Sequence, residues 1–126
     1  MLLGLVEALG LDRTNVPRIA TAFSAGVARH GEICGALIGA AMALGLRFGR
    51  EDPKDAATRD ALLARMDRLL RAFEAEYGTV RCIELTGCDM TTPEGLAKSV
   101  ELDLHHVVCP KFVEFAAREA SRLLDT

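Results

Sequence analysis

Apolar residues recur along most of the chain at intervals of three and four, and no run of five residues alternates cleanly between apolar and polar. The first spacing belongs to amphipathic helices and the second to half-buried strands, so the pattern predicts helices throughout. Leu2–Leu9 has helical spacing and ends at Gly10. Thr14–Phe23 follows, with Thr14 or Asn15 as a cap and Pro17 in the first turn. Ser24–Gly31 (SAGVARHG) reads as a loop with two glycines. An Ala-rich helix is predicted from about Glu32 to Phe48, stopped by Gly49. Leu62, Met66, Leu69, Leu70 and Phe73 fall on one helical face and predict a long helix over about Ala56–Tyr77, with Gly78 as its C′ residue.

The remaining third reads the same way. Thr79 can cap a short helix, Val80–Thr86, ended by Gly87. Thr91 and Glu94 have capping-box spacing and Pro93 suits a helix start, for a helix reaching towards Leu104. A last helix over about Pro110–Leu124 presents Phe112, Phe115, Ala116 and Leu123. The expected fold is all-α: a small irregular bundle of about five to six helices in a single domain over residues 1–126.

Composition narrows the function classes. Half of the 126 residues are hydrophobic and 26% are charged, an ordinary globular balance. The net charge is −3 and the basic residues are scattered, which leaves no footprint for nucleic acid. The longest uncharged run, Ile33–Leu46, is 14 residues and too short to span a bilayer. Met1–Gly10 is apolar, but Glu7 interrupts it and no basic segment precedes it, so it makes a poor signal peptide. The expectation is a cytoplasmic protein without a membrane span.

The candidate chemistry lies in four cysteines, Cys34, Cys82, Cys88 and Cys109. In a reducing compartment, clustered cysteines lean towards redox or metal chemistry. Cys34 falls in the first turn of the Ala-rich helix, Cys82 in that of the short helix, and Cys109 directly precedes Pro110 as a candidate N-cap. Free N–H groups and the helix dipole stabilise a thiolate there, so lowered pKa values are expected. Arg29, His30, Arg81, His105, His106 and Lys111 would add to this, and Glu32 and Glu84 would oppose it. The competing reading is packing, since Cys is also a small hydrophobe.

Two further readings stay open. His105 and Cys109 are four apart, so an iron–sulfur or other metal centre could use the cysteines with His105 or His106, although no CxxC is present. The cofactor, if any, is not identified by the residues, and the missing CxxCH excludes a covalent c-type haem. Alternatively, flat apolar faces could serve a non-catalytic homodimer. Gly35, Gly39 and Ala43, spaced by four, form a smooth groove that suits close helix packing or a flat ligand.

Phe23–Gly49 (FSAGVARHGEICGALIGAAMALGLRFG) resembles the core of the redox-active protein family named after its cysteine pattern, C_GCAxxG_C_C. The stretches FEAEYGTVRCIELTG (Phe73–Gly87), DMTTPEG (Asp89–Gly95) and CPKFVEFAA (Cys109–Ala117) follow in the same order, so the resemblance covers nearly the whole chain. It implies a small all-helical protein with redox-active cysteines, in which Cys34 is the central one, Cys82 and Cys109 are the two downstream, and Cys88 is additional. It also implies an unidentified redox partner and a further cysteine in the first helix. In this chain that region begins at Met1, so an N-terminal segment is expected to be lacking, and Gly35 follows the central cysteine where the family name has Ala.

Overall fold

A computed structural model describes residues 1–125. Seven α-helices follow one another: α1 (Leu2–Ala8), α2 (Val16–Ala20), α3 (Gly35–Phe48), α4 (Ala56–Tyr77), α5 (Cys82–Thr86), α6 (Pro93–Glu101) and α7 (Pro110–Leu124). A 3-10 turn covers Thr21–Phe23 and a π turn Leu104–Val108. The all-α expectation holds, with more helices than the five to six expected, because α2 and α5 are single short turns of five residues each. Among the described residues there is no strand, only one antiparallel bridge between Ile33 and Arg81.

The order of packing follows from where the apolar surface lies. α3 buries more residues than any other described helix, and Leu37, Ala40, Ala43 and Leu44 along it are wholly buried. It therefore sits at the centre, packed against α7, α1 and α4, while α4 also packs on α7. The groove of small residues is filled by chain: a Cβ built on Gly39 would stand 2.8 Å from Met1 Cγ, so the start of α1 lies in the groove. Gly35 is exposed instead and faces the cavity described below. Between α4 and α7 the aromatic rings of Phe73, Tyr77, Phe112 and Phe115 pack in tilted and edge-to-face pairs, with centroids 4.9–6.0 Å apart.

Several helix ends differ from expectation by a few residues. Asp55 caps α4, its carboxylate accepting from Thr58 N at 3.0 Å, and Gly78 ends it at φ +80°. Thr92, not Thr91, caps α6: its Oγ1 accepts from Gly95 N at 3.0 Å, because Thr91 is occupied with the Asp89 carboxylate. α6 stops at Glu101 and not near Leu104, as Asp103 turns left-handed at φ +48°. α5 starts at Cys82, since Arg81 is extended and held in the bridge.

The largest surprise is the SAGVARHG loop. Ala25, Gly26, Val27, Ala28 and Arg29 all have φ between +50° and +72°. Five consecutive residues thus form a left-handed turn, four of them with side chains that cost about 1–2 kcal/mol each in that conformation. Wide backbone bonds hold it, including Ala28 N to Ala22 O at 2.9 Å and Glu32 N to Gly26 O at 2.9 Å. No described helix is long and apolar enough to cross a membrane.

Candidate functional site

The left-handed turn delivers Gly31–Cys34 alongside Val80–Ile83. Cys34 N donates to Val80 O at 2.9 Å, Cys82 N to Glu32 O at 2.6 Å, and Ile83 N to Gly31 O at 3.0 Å. The bridged pair is Ile33 and Arg81, and successive residues of extended chain face opposite sides. Cys34 and Cys82 therefore share the face away from Ile33 and Arg81, in diagonal positions. Each is also at a helix start: Cys34 is the N-cap of α3 and Cys82 the first residue of α5.

Both thiols line one cavity of about 830 Å³, and Cys109, the N-cap of α7, lines it too. A Cβ built on Gly26 would stand 2.7 Å from Cys82 Cβ and 2.6 Å from Glu32 N, so the turn lies flat against Cys82. The π turn before Cys109 closes with Cys109 N on Leu104 O at 2.7 Å. Such turns interrupt ordinary helix register and recur at functional sites. Leu85, Leu96, Val100, Phe112 and Val113 give the cavity an apolar wall. Cys88 is elsewhere: it is buried, does not line the cavity, and its Sγ donates to Thr86 O at 3.6 Å.

The electrostatics reverse the expectation of acidic thiols. Burial pushes the Cys34 thiol up, although the amides of Ala36 and Leu37 at the start of α3 pull it down. Burial also pushes Cys82 up, to about 11, helped by neighbouring Cys34, Cys109 and Cys88. Cys109 is raised by burial and then by Cys34 and Cys88. Desolvation outweighs the helix ends because α5 is a single short turn, and Cys82's own N–H is spent on Glu32.

This shift has a consequence for stability. Folding raises these pKa values, so the folded protein holds the thiol protons more tightly than the unfolded chain. The stabilisation is fully present below the ordinary thiol range near about 8.5 and is lost as pH rises through the folded value, about 11 for Cys82. Denaturation midpoints are therefore expected to fall steadily between about pH 8.5 and 11, and the fall to be shallower in Cys82→Ala. A midpoint flat over that range would contradict the buried, protonated thiol.

The expected cationic partners are dispersed. Arg81 pairs with Glu84 at 3.4 Å on the surface, His106 Nδ1 lies 2.8 Å from Asp103, and Lys111 stacks over the Phe112 ring. Arg29 and His105 do line the cavity. Among the described residues no three His, Cys, Asp or Glu side chains are grouped to hold a metal ion. Sequence reasoning placed the cysteines but missed the Ile33–Arg81 bridge, the left-handed turn and the cavity. The two close glycines of the loop, Gly26 and Gly31, were the available signal.

The model of the family described as "Putative redox-active protein (C_GCAxxG_C_C)" matches residues 1–123. The chain belongs to that family. No curated protein and no solved structure matches it.

Proposed function

We propose that this member of the C_GCAxxG_C_C family is a thiol redox protein that cycles between dithiol and disulfide, with Cys34 and Cys82 as the working pair. The observation that supports the reading best is the Ile33–Arg81 bridge, which sets these two thiols diagonally on one face at the wall of one cavity. Cys34 is the attacking thiol, because the amides of Ala36 and Leu37 at the start of a long helix pull its pKa down, an influence that acts on neither Cys82 nor Cys109. Its thiolate attacks a disulfide of the redox partner, forming a mixed disulfide and releasing one partner thiolate. Cys82 then attacks the Cys34 sulfur, closing an internal disulfide and releasing the second partner thiolate. Two thiols are oxidised, one partner disulfide is reduced, and the thiol protons pass to water.

Diagonal pairs stand about 7–8 Å apart. Disulfides span about 4.4–6.8 Å between Cα atoms, so closing the bond draws the two segments together. Cys109, on the same cavity and less buried than the other three, is the entry point for a second exchange. Cys88 supports the cluster without facing the cavity. A cytoplasmic setting belongs to this reading, since free thiols persist there and structural disulfides are rare.

The test is a redox titration in glutathione buffers, followed by mapping of the disulfide by mass spectrometry, with alkylation rates measured against pH. A reversible Cys34–Cys82 bond is expected, with Cys34 alkylated before Cys82 and both rates rising above the pH of a free thiol. Cys82→Ser should trap a mixed disulfide at Cys34. Independent oxidation of the two cysteines, or no reversible disulfide at Cys34, would end the proposal.

A further inference from the structure

The polar groups around the cavity are unequal. Ser24, Thr86 and Ser99 point their hydroxyl hydrogens into carbonyls, those of Thr21, Cys82 and Leu96, at 2.8, 2.9 and 2.6 Å. Asp103, the acidic group on the wall, lies 2.8 Å from His106. Among the described residues, Arg29 and His105 are the basic side chains of the lining without an ion pair or side-chain hydrogen bond, and of the two Arg29 carries the permanent charge. The rest of the wall is apolar, with Phe112 among it, and a volume of about 830 Å³ suits a small molecule, not a protein segment alone. Arg29 lines the cavity and is carried by the left-handed turn whose Gly26 rests on Cys82, so its backbone is anchored beside Cys82.

We propose that the cavity takes a small disulfide with an apolar or aromatic body and a carboxylate, Arg29 holding the carboxylate while Cys34 meets the sulfur. This rests on the thiol–disulfide reading above. Arg29 is a specificity-determining residue here: the planar guanidinium matches a carboxylate, and the apolar wall takes the body. In the reaction the Cys34 sulfur bonds to one sulfur of the ligand, the ligand's S–S bond breaks, and one half leaves as a thiolate. Cys82 then displaces the other half as a second thiolate, leaving the Cys34–Cys82 disulfide. The two thiol protons go to solvent, and the ligand takes both electrons.

Two reagents separate the inference from its premise. Dithiobis-nitrobenzoate is an aromatic disulfide with a carboxylate on each ring, and dithiodipyridine is its uncharged counterpart. Rates are normalised to those of free cysteine. The protein is expected to favour the anionic reagent by roughly tenfold at low salt, and to lose that preference as salt screens the charge. Arg29→Gln should remove the preference, read as the ratio of the anionic to the neutral rate, and Arg29→Lys should retain part of it. The neutral reagent reports that the variant's thiol site is intact. Equal normalised rates for both reagents, or an Arg29→Gln effect shared by both, would overturn the anionic ligand class alone. Reaction with neither reagent would overturn the thiol-exchange premise as well.

Discussion

Gly26→Ala is expected to lower the unfolding free energy by about 2–5 kcal/mol, and to make Cys82 react faster with alkylating agents. Two costs combine. Gly26 has φ +72°, where an alanine costs about 1–2 kcal/mol. Its new Cβ would also stand 2.6–2.8 Å from Glu32 N, Cys82 Cβ and the Gly31 carbonyl carbon. Two of these are backbone atoms, so relief requires the turn to lift, and overpacking of this kind costs about 1–3 kcal/mol. Lifting the turn wets Cys82, whose high pKa comes first from burial, so its thiolate becomes easier to form. Gly45→Ala is the control, since nothing lies within 4 Å of a Cβ there and the site is inside α3. It should stabilise by about 0.5–1 kcal/mol. Urea unfolding with parallel alkylation kinetics decides the matter. A Gly26→Ala protein as stable as its parent, with an unchanged Cys82 rate, would show that the turn does not bear on the thiol.

Phe73→Ala is expected to cost about 3–5 kcal/mol, a large share of the 5–15 kcal/mol typical of a domain. Phe73 is fully buried on α4 and touches three rings, with centroids at 4.9 Å to Tyr77, 5.8 Å to Phe115 and 6.0 Å to Phe112. The lost burial and the cavity left behind both contribute, and the ring contacts, edge to face with Phe115 and tilted with Tyr77 and Phe112, add to them. Phe112 also lines the thiol cavity, so loosening this cluster loosens one wall of the site. Phe73→Leu keeps most of the volume and should recover more than half of the loss. Chemical denaturation measures both variants, and a loss below about 1.5 kcal/mol for Phe73→Ala would show that α4 and α7 do not share their core there.

The fold was largely legible because local rules and the global arrangement agree. The face of Leu62, Met66, Leu69, Leu70 and Phe73 predicted α4, and Gly78 ended it as expected. The Ala-rich helix α3 is central for the reason its composition suggested: small residues let neighbours approach, and the start of α1 does so at Gly39. Short elements were less legible. α5 and the π turn are single turns whose own hydrogen bonds do not stabilise them, so packing sets their limits. The left-handed turn was illegible because four of its five residues, Ala25, Val27, Ala28 and Arg29, disfavour that conformation.

The amino-acid order by itself determined the helical class and the positions of Cys34, Cys82 and Cys109 at or beside helix starts, because periodicity, caps and punctuation are properties of neighbouring residues. Only the tertiary structure decided what those thiols meet. Cys34 and Cys82 are 48 positions apart, and an Ile33–Arg81 bridge sets them on one face. The same packing reversed the expected acidity: a helix end acts over a single turn, whereas burial beneath the left-handed loop strips most of the water from Cys82, and for Cys82 that desolvation is the larger effect.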